Sequence, residues 1–214
     1  RPRVAYRETV RDVVEQAGRF VRQAGGRGKY AHVEIRVEPL SAGAGFQFVN
    51  ALDDARMPGR FVEAIEAGIR DQLQGGCAWG FPVIDVRVTL TGGSWHEVDS
   101  SADDFRIVGA MAFNEACAKA RPVLLEPIMK VEVATPDQFL GDINGDLSRR
   151  RGVVRDLAES GAGKVIRAEV PLAEMFGYAT SLRSQSQGRA TYSMEFLRYA
   201  PAPAGAQPAS GPKH

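Results

Sequence analysis

Hydrophobic and polar positions alternate with period two in two stretches of the first half of the chain. Val33, Ile35 and Val37 alternate with His32, Glu34 and Arg36, and Ile84, Val86, Val88 and Leu90 alternate with Asp85, Arg87 and Thr89. Each run predicts a half-buried strand, the second ended by Gly92-Gly93. Between them the period changes. Phe61, Ile65, Ile69 and Leu73 form one helical stripe after Pro58, ending at Gly75-Gly76. Phe105, Val108, Met111, Ala112 and Ala116 give a second helix over 105–119, with Asp99-Ser100-Ser101 before it to cap its free amides. Pro122 stops that helix, and a domain boundary is expected there.

The second half reads as β-α-β-β-α-β. Met129, Val131 and Val133 alternate with Lys130 and Glu132 in a strand, and Asp137–Arg151 reads as a helix with its basic end at the favourable pole of the helix dipole. Two strands, Val153–Glu159 and Lys164–Val170, flank the Ser160–Gly163 turn. Pro171 opens a short helix through Leu182, and Arg189–Tyr199 is a last strand. This order in so few residues is the ferredoxin-like plan, with two helices over one face of an antiparallel sheet. Ala200–His214 has four prolines, five alanines and no hydrophobic period, so a disordered tail is expected. The fold class is therefore α+β with two domains, 1–122 and 123–199, and a tail over 200–214.

Composition narrows the function. In 214 residues, 27 basic groups face 26 acidic ones, for a net charge of +1, so any nucleic-acid contact has to come from local patches. Cys77 and Cys117 are too few for a disulfide framework and read as reduced thiols. The three histidines are scattered, so no metal site is readable. No signal peptide or spanning apolar run is visible, and a soluble, cytoplasmic protein is expected. There is no P-loop, no His-Glu-x-x-His and no Gly-x-Ser-x-Gly, so no catalytic residue is assigned.

Four polar segments are candidates for RNA contact, and each also has a plain structural reading. Gly25, Gly26, Arg27, Gly28, Lys29 and Tyr30 combine a permissive backbone with phosphate-neutralising and base-stacking side chains, or they are a hairpin turn. Ser94, Trp95, His96, Glu97 and Asp99 place an aromatic face beside an imidazole, or Trp95 covers the core edge and His96 caps a backbone group. Arg149, Arg150 and Arg151 suit a phosphate backbone or a solvated helix end. The loop Arg183–Arg189, with Arg183 and Ser184, offers donors to sugar and phosphate oxygens, or simply joins a helix to a strand.

Taken together, the words along the chain resemble the fourth and fifth domains of bacterial elongation factor G. They include Val4–Thr9, Gly25–Gly28, Ser94–Ser101, Pro122–Met129, Gly145–Gly152 and Glu174–Thr180, in the family's order. The resemblance implies an elongated, ribosomal-protein-like fourth domain containing a βαβ unit, then a ferredoxin-like fifth. It further implies a ribosome-binding part of a translational GTPase that promotes tRNA–mRNA translocation. Two tip loops, matching Gly25–Tyr30 and Gly93–Asp99 with the family's histidine on His96, would enter the small-subunit decoding region and meet tRNA and mRNA. Arg183 and Ser184 match a loop that approaches large-subunit rRNA near the GTPase centre, and Arg149–Arg151 are carried over with them.

The GTP-binding, second and third domains have no counterpart here. The chain is expected to be a monomeric fragment that holds no cofactor and partners the N-terminal domains, where GTP and Mg would bind. The family commonly has Tyr-His-Asp where this chain has Trp95-His96-Glu97. A ribosome-recycling paralogue and a ribosomal-protection-type factor therefore stand as alternatives.

Overall fold

A computed structural model describes residues 4–23, 26, 28–206 and 208. The chain divides into two units, one built on Tyr6–Leu125 and the other on Glu126–Pro201.

The first unit begins with strands β1 (Arg7–Val10), β2 (Val14–Arg22), β3 (Lys29–Pro39) and β4 (Phe46–Asn50). Helix α1 (Gly59–Gly75), strand β5 (Val86–Ser94) and helix α2 (Ala102–Lys119) follow. Four strands form a sheet in the order β2-β3-β5-β4, antiparallel except for β4 and β5, which are parallel across the α1 crossover. That crossover is the expected βαβ unit. Alternation along β3 and β5 buries Val33, Ile35, Val37, Val86, Val88 and Leu90 against Phe61, Ile65 and Ile69 of α1 and Phe105, Val108 and Ala112 of α2. The helices pack closely because Gly109 lacks a side chain: a Cβ there would lie 2.9 Å from Ile65 O. Met111, predicted on the buried stripe, is instead 46% exposed. Ser101 caps α2 by accepting Asp104 N–H at 3.2 Å, with Asp103 and Asp104 in the first turn.

Two expectations for this unit need correction. Asp85 has φ +59 and its carboxylate accepts Gly45 N–H at 2.9 Å, so Ile84 lies outside β5. The strand also continues through Gly92-Gly93 to Ser94, with Thr91 as the extra residue where the register shifts. The second concerns the cysteines. Cys77 and Cys117 are not free thiols but a disulfide with Cα atoms 5.7 Å apart. The pairing comes from tertiary packing, which sets the exit of α1 beside the last turns of α2 and leaves no trace in the spacing.

Strand β6 (Pro122–Pro136) is much longer than predicted. Its first residues pair with β1, Arg7 opposite Leu125 and Val10 opposite Pro122, within the first unit.

The second unit takes the rest of β6, then a 3-10 turn at Asp137–Phe139 and helix α3 (Leu140–Arg149). Strands β7 (Val153–Ser160) and β8 (Gly163–Pro171), a 3-10 turn at Leu172–Glu174, helix α4 (Tyr178–Gln185) and strand β9 (Thr191–Pro201) complete it. Strand β6 pairs with β8 and β9, and β7 borders β8, which is the ferredoxin-like sheet. Met129, Val131, Val133, Ile166, Ala168 and Val170 pack against Ile143, Leu147, Tyr178 and Leu182 of the two helices. The opposite face carries cross-strand ion pairs, Arg167 with Asp156 and Glu132, and Glu169 with Arg155 and Arg198.

The predicted helix over 137–151 is split by the 3-10 turn and ends at Arg149, because Arg151 turns to φ +58. Strand β9 runs to Pro201, past the start of the predicted tail, and Ala202 N–H donates to Leu124 O at 2.9 Å. Residues 207 and 209–214 of that tail lie outside the described residues.

Candidate RNA-contacting tip

The sheet register brings two of the predicted segments to one end. Arg22 pairs with Lys29 at the close of the β2-β3 hairpin, and His32 pairs with Ser94, the last residue of β5. The loop before β3 and the loop after β5 therefore leave the sheet at the same edge. Gly25 and Arg27 of the first loop lie outside the described residues, while Gly26 is exposed and Gly28 half-buried.

Backbone and hydroxyl groups stitch the two loops together. Tyr30 N–H donates to Asp99 O at 3.0 Å, and Ser100 Oγ donates to Tyr30 O at 2.7 Å. Ser100 Oγ also accepts His96 N–H at 2.8 Å, and Ser100 N–H returns to His96 O at 3.1 Å. Beneath them, Ser94 Oγ lies 2.7 Å from Tyr30 OH and 2.8 Å from His32 Nδ1. Hydrogen bonds from Ser94 and then Arg19 hold the Tyr30 phenol below its ordinary pKa. Gly93 is required at the strand end: a Cβ there would lie 2.7 Å from His32 O and 2.7 Å from Met57 Cε.

The side chains divide between core and solvent. Trp95 is half-buried and packs on Phe61, ring centroids 5.9 Å apart, so it covers the core edge rather than offering a free stacking face. His96 is 56% exposed, and its Nδ1 accepts the backbone N–H groups of Val98 and Asp99 at 3.3 and 3.2 Å. Glu97 is exposed, and Lys29 reaches Asp104 at 3.7 Å. The described tip thus presents His96, Lys29 and Glu97 on a braced backbone. Ser100, read in the sequence only as a capping candidate, is the residue that joins the loops, and His32 was legible only as a polar strand position. A second polar residue beside a capping serine was the available signal.

In the second unit the arginine run does not act as one cluster. Arg150 is pinned inside the fold: its Nε donates to Asp146 Oδ2 at 2.9 Å, Nη1 to Glu174 O at 2.6 Å and Nη2 to Ser181 Oγ at 3.0 Å. Arg151 forms a bidentate pair with Glu126 at 2.9 and 3.1 Å and a further bond to Glu174 at 3.2 Å, and Glu126 holds its pKa above the ordinary value. Arg149, 72% exposed and 3.7 Å from Asp146, faces outward the most, while Arg151 is 38% exposed beside its two carboxylates. Arg183 and Ser184 are exposed on the last turn of α4, not in a loop, since the helix runs to Gln185. The segment after it is clamped by Ser186, whose Oγ donates to Leu182 O and accepts Ala190 N–H.

Residues 2–121 match the family described as elongation factor G, domain IV, and residues 123–209 match elongation factor G C-terminus. The chain belongs to the elongation factor G family. Its two units are the domain IV and the ferredoxin-like C-terminal domain of that family. A crystal structure of a protein from Thermus thermophilus is similar at 40% sequence identity with a TM-score of 0.87. The match covers 95% of this chain and 30% of that one, so the chain spans about a third of that protein's length. Among the described residues, no group of acidic, histidine or cysteine side chains is placed to hold a metal ion, and no helix is long and apolar enough to cross a membrane.

Proposed function

We propose that this chain is the ribosome-engaging part of a cytoplasmic translational GTPase, and that its domain IV tip enters the small-subunit decoding region during tRNA–mRNA translocation. The observation that carries the reading is the tip itself. Two loops from separate parts of the sequence are joined through Tyr30, Asp99 and Ser100, with His96 exposed beyond them. Such a tip suits the minor groove of paired RNA, where shape and 2′-hydroxyls are the readable features. It forms no bonds with its target that outlast the encounter. It acts by occupying space and by contacts that exist only after the tRNA has moved, which bias a two-state equilibrium forward. The C-terminal domain, with exposed Arg149, Arg183 and Ser184, meets large-subunit rRNA near the GTPase centre. GTP and Mg bind in other domains of the factor.

The test is single-turnover mRNA movement on pre-translocation ribosomes, using a full-length factor that carries this segment. The expected result is fast movement with the native tip and a large loss of rate in His96→Ala, with ribosome-stimulated GTP hydrolysis preserved. Absence of movement with the native tip overturns the translocation reading. Subunit splitting with a partner factor would then identify a recycling paralogue, and release of a drug from the decoding site would identify a protection factor.

A further inference from the structure

The His96 ring is oriented by its own loop. Val98 N–H and Asp99 N–H both point at Nδ1, at 3.3 and 3.2 Å. A ring nitrogen that accepts two N–H groups uses its lone pair and carries no proton, so this network assigns the neutral imidazole as the Nε2–H tautomer. The competing arrangement, in which a protonated Nδ1 donates to the Asp99 carboxylate, is not formed: Asp99 Oδ2 lies 3.6 Å away, outside hydrogen-bond range. The backbone that carries these amides is itself fixed, because Ser100 exchanges bonds with both His96 N–H and His96 O while donating to Tyr30 O. The opposite ring nitrogen, Nε2, is left on an exposed side chain.

We propose that His96 is a one-way hydrogen-bond donor, locked as Nε2–H by the Val98 and Asp99 amides, and that it recognises an acceptor oxygen of the RNA sugar–phosphate chain. The inference deepens the ribosomal reading and rests on it for the identity of the target. A histidine free to exchange tautomers could both donate and accept. One held in this way rejects a donor and favours a lone pair, so the contact forms only where an RNA oxygen comes into line with Nε2. Ribose 2′-oxygens and phosphate oxygens share that chemistry. Val98, Asp99 and Ser100 are positioning residues in this scheme, since they act through the ring.

The lock is tested first on the chain alone. With 15N-labelled histidine at neutral pH, long-range proton–nitrogen correlation spectra should show a pyridine-like Nδ1 and a pyrrole-like Nε2 for His96. The sequence has only three histidines, and the signal lost in His96→Asn assigns it. A protonated Nδ1, or averaging between the two tautomers, overturns the proposal whatever the ribosomal role.

The donor is then tested in a full-length factor carrying the segment. In H96N the amide oxygen takes the place of Nδ1 as acceptor for the loop, while the donor at the far end of the ring is lost. In H96Q an amide N–H is restored at about that reach. Movement of mRNA should slow by several-fold to about tenfold in H96N, the effect of one lost hydrogen bond, and recover at least in part in H96Q. A native rate in H96N overturns the donor role. Deoxyribose at the moving codon distinguishes the acceptors: the gap between native and H96N closes if a 2′-oxygen is read and persists if a phosphate oxygen is. Failure of the native factor to move mRNA removes the ribosomal reading, while the spectra still decide the tautomer.

Discussion

The carboxylate of Glu8 is wrapped by the loop that leaves α1, with Oε2 accepting the backbone N–H of Phe81 at 2.8 Å. Its other oxygen accepts the N–H groups of Cys77 at 3.0 Å, Ala78 at 2.8 Å and Trp79 at 3.3 Å. Glu8 is fully buried, so its carboxylate depends on these four amides in place of water.

Removing that carboxylate should therefore unfold domain IV first. Glu8→Ala leaves four donors without an acceptor, and a loss of about 3 kcal/mol or more is expected in urea unfolding of the chain. Glu8→Gln keeps one acceptor oxygen and should fall between the two. An unchanged midpoint in Glu8→Ala would show that the loop finds other partners.

The Cys77–Cys117 disulfide closes a loop of 40 residues across the same region. Loop closure of that size stabilises by about 4 kcal/mol in the chain-entropy account. Thiol titration of the denatured, unreduced chain should find no free thiol, and reductant should lower the melting temperature. The double variant Cys77→Ser/Cys117→Ser should melt like the reduced protein and be indifferent to reductant.

Arg198 and then Arg155 hydrogen-bond to Glu169 and lower its pKa from an ordinary 4.5 to about 2. A carboxylate whose folded pKa is depressed adds stability above its unfolded pKa and loses it as pH falls towards the folded one. The C-terminal domain should accordingly lose stability between about pH 4.5 and about pH 2. Glu169→Gln should flatten the acid limb of a stability–pH curve over that window.

Arg149 and Arg150 are neighbours in sequence with opposite duties. Arg150→Met breaks the bonds to Asp146, Glu174 O and Ser181 and should destabilise the domain by about 2–3 kcal/mol. Arg149→Ala should change stability by no more than about 0.5 kcal/mol and weaken ribosome binding instead. Equal unfolding midpoints for the two variants would contradict the division.

The sequence was most informative where period and burial coincide. The stripe Phe61–Leu73 and the alternations at Val33–Val37 and Val86–Leu90 mark core elements because one face of each is fully enclosed. Strands β1, β2 and β4 escaped because they are short or lie at sheet edges. In β2 the inward positions include Gln16 and Gly18, with Gly18 set against Ala112, and these carry little hydrophobic contrast. The tip segments were legible as polar loops and through family words, but not their joining. That depends on which backbone groups β3 and β5 bring within reach, and only the register of the folded sheet decides it. Trp95 and Arg150 mislead for the same reason: an aromatic or basic side chain looks available until the partner that occupies it is seen.

The stitch through Ser100 has a kinetic consequence. Loops that must be ordered on contact with RNA lose conformational entropy at the moment of binding, and many encounters fail for that reason. Here the backbone flanking His96 already has partners within the folded chain. In the proposed translocation role the tip arrives preorganised, so the interval in which a tRNA has moved but could still slip back need only be as long as a collision with a shape that is already set.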